Sequence, residues 1–355
     1  MCNIAGYIGN KPAAPILIEM LRKQEWLDGG LSTGIATIHN GVLYHAKVIG
    51  GVDELIKQTD ALSFPGNIGI IHSRPDGNLY EYAHPFVSKN DSMAFVENGN
   101  CCRDEESVRK RNAVTDLLSE NGVRFKSAYR FERSSYPKMQ NGEYVAYGEV
   151  IAHYVAYLKD KTGDSYEKIM ADVHSEMFSD VVGVMINTDC PENIFVTRIS
   201  RPMNIMIADG ESYIATSQLG FPELENVDYI GSLPQMCSSV VTKGGFQVTN
   251  HRVKGGHVEE FTFSEFLNAY ERIKTELTNR TVNMEELGAL VFSEPPTIMA
   301  NDLQPRAKLI YDVLYALKKS GTLTLSTEEI ELPWLAGQGQ TTVKRYSFSY
   351  EEKKL

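Results

Sequence analysis

Residues 1–10 read Met1-Cys2-Asn3-Ile4-Ala5-Gly6-Tyr7-Ile8-Gly9-Asn10. A short apolar run bounded by glycine has the length of a β-strand, so a cysteine stands at the mouth of a strand, directly after the first methionine. A side chain as small as cysteine permits removal of that methionine, and the expectation is a working N-terminus at Cys2. A terminal cysteine carries two functional groups. Its thiol is a nucleophile when ionised, and its α-amine, with a pKa of about 7.7 to 8.0, can act as the base near neutral pH. Such a site needs no histidine partner.

Outward from this strand, helices and strands follow in a regular rhythm. Pro15, Leu17, Met20 and Leu21 predict a helix over 14–24. Strands are predicted at 33–38 and 42–49, joined by an Asn40-Gly41 hairpin turn, and again at 67–71 and 93–97. Three helices follow, at 104–120 with Asn121-Gly122 as its stop, at 149–159, and at 166–178. Four strands come next, at 181–187, 193–199, 203–208 and 212–216. Antiparallel connections around a helical group predict a layered α+β domain over 1–255. From Glu259 the character changes: helices at 264–277 and 305–319 enclose a polar stretch bearing Met and Pro. The chain then runs through TLTL, an acidic LSTEEIEL segment and the strand-like TTVKRYSFSY. This predicts a small C-terminal α/β domain over 256–355, winged-helix-like or serving packing and assembly.

Charge and composition exclude several classes of function. The chain carries 35 basic and 46 acidic residues, a net charge of −11, which argues against nucleic acid as the partner. Its longest apolar runs, such as the one from Val181, fall far short of a bilayer span, and the N-terminus lacks signal-peptide features, so no membrane partner and a cytoplasmic location are expected. The five cysteines include no CxxC pair, and the histidines show no HxxxH or HxH spacing. Neither a disulfide framework nor a metal site is expected, and no cofactor is implied.

Two further stretches carry chemistry. In IIHSRPDG, residues 70–77, a strand ends on Arg74, which either clamps a carboxylate in bidentate fashion or makes a surface salt bridge. In FVENGN, residues 95–100, Asn98-Gly99 is either a hairpin turn or a pair of donors for an oxyanion.

Taken in order, MCNIAGYIG, LRKQEWLDGGLSTGIATI, IIHSRPDG with AHPF, FVENGN, GEVIAHYV, and the run from VVGVMI to SYIATSQLGF resemble the class II glutamine amidotransferase domain. The resemblance is closest to the glutaminase half of glucosamine-6-phosphate synthase and covers residues 2 to about 221. It implies a four-layer αββα sandwich of the N-terminal nucleophile hydrolase kind with a small C-terminal α/β appendage. It further implies that Cys2 attacks the side-chain amide of glutamine and that Asn98 and the Gly99 N–H hold the oxyanion. Arg74, the Gly77 loop and the position of Tyr147 would bind the rest of the substrate.

The pattern is not reproduced throughout. Asn3 stands where the family has glycine, Glu97 where it has histidine, and the loop after Arg74 is compressed to Pro75-Asp76-Gly77. Tyr147 stands where the family has the aspartate that binds the substrate α-ammonium. Either Glu97, Glu143 or Asp76 takes over the ammonium, or the substrate is another amide, or the domain turns over poorly. The expected partners are glutamine or a related small amide and a separate ammonia-acceptor enzyme, with homo-oligomers open. The tail is too short for the sugar-isomerase domains and has no P-loop. The function expected is a stand-alone amidotransferase or glutaminase; the alternative is a catalytically degenerate binding or regulatory protein.

Overall fold

The computed structural model describes residues 2–75, 79–88, 90–100, 105–130, 136–292, 302–303, 305–332 and 342–352. The chain opens with β1 (Asn3–Ile8), α1 (Ala13–Arg22), α2 (Glu25–Asp28), β2 (Ser32–His39) and β3 (Val42–Ile49). It continues through α3 (Val52–Gln58), β4 (Ile68–Arg74), β5 (Phe86–Val87), β6 (Met93–Asn100) and α4 (Glu105–Glu120). Next come α5 (Tyr147–Thr162), α6 (Tyr166–Glu176), β7 (Asp180–Asn187), β8 (Ile194–Arg198), β9 (Asn204–Ala208) and β10 (Glu211–Ala215). The strands β11 (Val227–Ser232), β12 (Cys237–Thr242) and β13 (Gly245–Arg252) complete this part.

These strands form a seven-stranded sheet in the order β11-β9-β10-β1-β4-β2-β3 and a six-stranded sheet in the order β13-β12-β8-β7-β6-β5. Every pairing between them is antiparallel. The strand period of two distributes the side chains over the layers. Ile4, Ile8, Ile68 and Ile70 of the first sheet meet Ala94, Val96, Val182, Val184 and Ile186 of the second in a core between the sheets. Ala5, Tyr7 and Ile71 turn outward against Leu17, Leu21 and Leu55 of α1 and α3. On the other side Phe95, Val181 and Met185 pack under Val114, Val150, Ile151 and Ile169 of α4, α5 and α6. The result is the expected αββα sandwich.

Local signals act where they were expected. Asn40 and Gly41 take φ of 50° and 75° at the β2–β3 turn, and Gly122 closes α4 with φ of 83°. Asn98-Gly99, however, lies inside β6 and pairs with Val182 and Val181, so it is not a turn.

The C-terminal region comprises β14 (His257–Val258), α7 (Phe263–Asn279), β15 (Val282–Asn283), α8 (Met284–Val291), β16 (Asp302–Leu303), α9 (Arg306–Ser320), β17 (Leu323–Glu331) and β18 (Thr342–Tyr350). β15, β18 and β17 form a three-stranded antiparallel sheet in that order. β17 carries the acidic LSTEEIE stretch inside one strand, because Glu328 and Glu329 lie opposite Arg345 and Lys344 of β18. Thr262 and Asn283 start α7 and α8 through capping boxes with Glu265 and Glu286.

The core of this region is not closed on itself. Leu309, Ile310, Leu314 and Leu317 of α9 share a cluster with Leu27 and Leu219 of the sandwich. Arg345 Nη1 donates to Gly29 O at 2.8 Å, and Trp26 meets Tyr346 edge-on at 5.5 Å. Val258 still packs with the sandwich core.

Candidate active site

Strand phase decides which side chains meet. Cys2 is in phase with Ile4, and Asn98 with Ala94 and Val96, so both stand at one end of the core between the sheets. The main-chain nitrogen of Cys2 donates to Asn98 Oδ1 at 3.1 Å. Asn98 is 1% exposed, and its Nδ2 is buried with no hydrogen-bond partner among the described residues. Leaving a buried amide donor unpaired costs about 1–3 kcal/mol, so this donor is held ready for an acceptor that the folded chain does not itself supply.

Gly99 is obligatory for a steric reason. A Cβ there would stand 2.1 Å from Asp180 O and 2.6 Å from Val181 Cα, inside the β6–β7 contact.

Glu97, one residue earlier, falls on the opposite face of β6 with Phe95 and reaches the start of α5. Its carboxylate accepts from the Gly148 N–H, and Oε2 is buried without a partner. Burial pushes this carboxyl up to about 8, against the opposing pull of Arg74 and the Gly148 bond. Arg74 is itself 9% exposed, and its Nη1 and Nη2 donate to Tyr82 O at 2.5 Å and Tyr136 Oη at 3.1 Å. It is a buried, anchored guanidinium rather than a surface salt bridge.

Burial likewise raises the Cys2 thiol; Arg74 and Arg201 lower it, and Glu97 adds to the rise. The thiol is therefore protonated at neutral pH and needs a base to become a nucleophile. The buried pair His72 and His84 does not offer one. His72 and His84 pack ring to ring at 4.0 Å, burial drives His72 down to about 3 and His84 well below its ordinary value, and His72 Nε2 donates to Glu97 O at 2.9 Å. They act as neutral spacers behind β6.

Three expected positions come out differently. Asn3 points to the helical face, away from Cys2, where Nδ2 reaches Glu25 O at 3.5 Å beside Gly29. Its departure from glycine is a packing matter for α2. Tyr147 is 2% exposed, its hydroxyl donates to Met177 O and accepts from Ser179 Oγ, and its ring faces the Arg111 guanidinium at 5.8 Å. Its one hydroxyl is engaged by the core at the first turn of α5. Glu143 pairs with Arg130 at 3.9 Å and accepts from Asn141. Asp76 and Gly77 lie outside the described residues.

Sequence reasoning missed Arg201 and Tyr311. Arg201 pairs with Asp180 at 2.5 Å and interacts electrostatically with Cys2; Tyr311, from α9, interacts with both Cys2 and Arg201. No local signal marks either residue. Among the described residues no group of three or more His, Cys, Asp or Glu is placed to hold a metal ion, and no helix is long and apolar enough to cross a membrane.

A nucleophile at the mouth of a strand in an αββα sandwich defines the class of N-terminal nucleophile hydrolases. Two solved structures share the fold: an allosteric regulatory enzyme of purine biosynthesis, at TM-score 0.58 and 16% identity, covering 98% of this chain and 71% of that one. The other is a glutamine phosphoribosylpyrophosphate amidotransferase from B. subtilis, at TM-score 0.56 and 16% identity, covering 79% and 58%. No family model matches the chain. The glutamine–fructose-6-phosphate aminotransferase of Pyrococcus horikoshii is 30% identical over 223 residues, 61% of this chain and 32% of the relative. That of Thermosynechococcus vestitus is 30% identical over 222 residues, 61% and 31%. The chain thus carries a class II glutamine amidotransferase domain, and spans about a third of the length of the curated relatives it matches.

Proposed function

We propose that this chain hydrolyses the side-chain amide of glutamine at Cys2 and releases ammonia to an acceptor on a separate protein. The observation that carries the reading is the Asn98 amide: Oδ1 holds the Cys2 nitrogen while Nδ2 stays buried with no hydrogen-bond partner among the described residues. In this mechanism Cys2 Sγ attacks the amide carbon and its proton passes to the α-amine of Cys2. Asn98 Nδ2 and the Gly99 N–H receive the negative oxygen of the tetrahedral intermediate. The α-amine then protonates the departing ammonia, and water, deprotonated by the same amine, cleaves the γ-glutamyl thioester to glutamate and free thiol. The amine must be free for this, since an acylated nitrogen has no basic lone pair.

Arg74 supplies the positive charge for the substrate α-carboxylate. Glu97 is the group we assign to the α-ammonium in place of the carboxylate that Tyr147 lacks: it is half-buried against the start of the same helix, its Oε2 is buried without a partner among the described residues, and an incoming cation would ionise it. The separate acceptor is supported by the C-terminal region, whose third helix is used in contact with the sandwich. We read that region, residues 256–355, as a winged-helix-like unit with a packing role rather than a nucleic-acid one. A cytoplasmic location fits these properties.

A binding role without turnover is the second reading, favoured by the engagement of two Arg74 nitrogens with Tyr82 and Tyr136. One experiment separates the two. Intact mass before and after a diazoketone analogue of glutamine reports whether Cys2 is the first residue and whether its thiol is alkylated. Glutamine turnover is measured in parallel as glutamate and ammonia. Labelled Cys2 with turnover that vanishes in Cys2→Ala supports hydrolysis; turnover that survives in Cys2→Ala sinks it.

A further inference from the structure

β18 fastens the C-terminal region to one short piece of the sandwich, residues 23–29. Tyr346 Oη donates to Lys23 O at 3.3 Å, its ring meets Trp26 edge-on, and the Lys344 ammonium stands 5.4 Å over the Trp26 ring. Arg345, between them, reaches the end of α2. Its Nη1 donates to Gly29 O at 2.8 Å and to Lys344 O at 2.9 Å, and Nη2 lies 3.9 Å from an Asp28 carboxylate oxygen. The side chain is only 11% exposed. A guanidinium so far from water depends on each acceptor it finds.

The glycine that Arg345 holds is wedged among the chain neighbours of Cys2 and Arg74. Its N–H donates to Glu25 O at 2.5 Å, the same carbonyl that Asn3 Nδ2 reaches at 3.5 Å. A Cβ on Gly29 would stand 2.8 Å from Ser73 Oγ and 3.0 Å from Asn3 Nδ2. Gly30 N–H then donates to Ser73 Oγ at 2.7 Å, and Leu31 N–H to Arg74 O at 3.0 Å. Asn3 and Ser73 face each other in the β1–β4 ladder. One turn thus touches the residue after Cys2 and, in succession, Ser73 and Arg74. Two consecutive glycines give it little stiffness of its own, so a hold from outside matters.

We propose that Arg345 is a positioning residue for the Cys2 site: by holding Gly29 O it keeps the 29–31 turn seated on Asn3, Ser73 and Arg74, and so fixes the nucleophile and the buried guanidinium relative to each other. The kinetic part of the proposal rests on the amidohydrolase reading; the holding of the turn does not. Arg345 lies 316 positions from Gly29 and acts through the backbone rather than on the substrate. Misplacing reacting groups by about 1 Å can cost about a hundredfold in rate, so a turn seated on both strands has leverage over the reaction. The C-terminal region then serves the site as well as packing.

The test uses the full chain, well below the melting temperature of each variant. Arg345→Met removes the guanidinium and keeps the apolar stem; Arg345→Lys keeps a donor for Gly29 O. Hydrogen exchange at the Gly30 and Leu31 amides should quicken about tenfold in Arg345→Met and return toward wild type in Arg345→Lys, with the β7 amides unchanged. The second readout is a ratio of two rates of Cys2 labelling, by a diazoketone analogue of glutamine, which needs Arg74 in place, and by iodoacetamide, which does not. That ratio should fall about tenfold in Arg345→Met and recover in Arg345→Lys, while the iodoacetamide rate stays within about twofold. Gly29→Ala crowds Ser73 Oγ with Arg345 intact and should lower the ratio alike, which keeps the test open if Arg345→Met does not fold. Wild-type exchange at Gly30 and Leu31 in Arg345→Met, a wild-type ratio in both Arg345→Met and Gly29→Ala, or an equal fall in the two labelling rates overturns the proposal. A wild-type chain whose Cys2 takes iodoacetamide but not the diazoketone removes the amidohydrolase reading instead. Exchange alone then decides: quickened amides support the hold of Arg345 on the turn, and unchanged amides overturn it.

Discussion

Replacing Asn98 by alanine removes a donor that no other described residue uses and that the proposed reaction needs. The side chain is 1% exposed, Nδ2 has no partner among the described residues, and Oδ1 accepts a single bond, from the Cys2 nitrogen at 3.1 Å. The folded state therefore loses one hydrogen bond, about 0.5–1.5 kcal/mol, and sheds an unpaired buried donor that costs it about as much, so stability should change by no more than about 1 kcal/mol. The transition state loses far more. Removing one preorganised oxyanion donor lowers kcat about 10²–10³-fold, roughly 2.7–4 kcal/mol. The substrate contacts proposed for Arg74 and Glu97 are untouched, so KM for glutamine should move little, and the loss should appear in kcat. The assay is steady-state glutamate release with a urea titration of the same preparation. Asn98→Ala with kcat within about fivefold of wild type, at matched stability, would refute the assignment of Nδ2 to the oxyanion. A large loss of stability would instead refute the claim that the amide is unused in the fold.

The raised Glu97 carboxyl predicts two pH effects and a structural contrast. Its value is about 4.3 in the unfolded chain and about 8 when buried, so the folded state holds the proton more tightly. Its contribution to stability therefore declines as pH rises from about 4.3 to about 8 and then levels off, and Glu97→Gln should flatten that decline in melting temperature measured across pH. Because the ammonium of glutamine needs the ionised form, KM should fall as pH rises toward 8 in the wild type and stay high and flat in Glu97→Gln; equal pH profiles for the two would exclude Glu97 from the substrate. Gly99→Ala forces a Cβ into Asp180 O at 2.1 Å and should cost about 1–3 kcal/mol or more in chemical denaturation, with an unchanged midpoint counting against the steric argument.

Much of the fold was legible because its signals are local. Strand alternation, the left-handed Asn40-Gly41 turn and the glycine stop at Gly122 each act within a few residues. Elements without a strong local signature were passed over. α3 and α8 are only 7 and 8 residues long, and β11 is largely exposed, so neither periodicity nor burial announces them. The capping box Asn283–Glu286 was the available signal for α8. The acidic half of β17 looked unlike a strand because its cross-strand partners, Lys344 and Arg345, lie more than a dozen residues further along.

By itself the sequence determined a layered α+β domain and the candidates Cys2, Arg74, Asn98 and Gly99, since strand periodicity and residue chemistry are carried by neighbours along the chain; the αββα order was what the resemblance to the amidotransferase family implied. It did not determine what each would face. Asn3 faces Glu25 in the helical layer and the Tyr147 hydroxyl is engaged by Met177 O, because one step along a strand or half a turn of a helix reverses the direction of a side chain. Glu97 titrates near 8 because burial removes water from it, a property no neighbour in sequence confers. α9 docks on the sandwich through a core shared with Leu27 and Leu219, and contact between residues so far apart in the chain exists only once that core has formed.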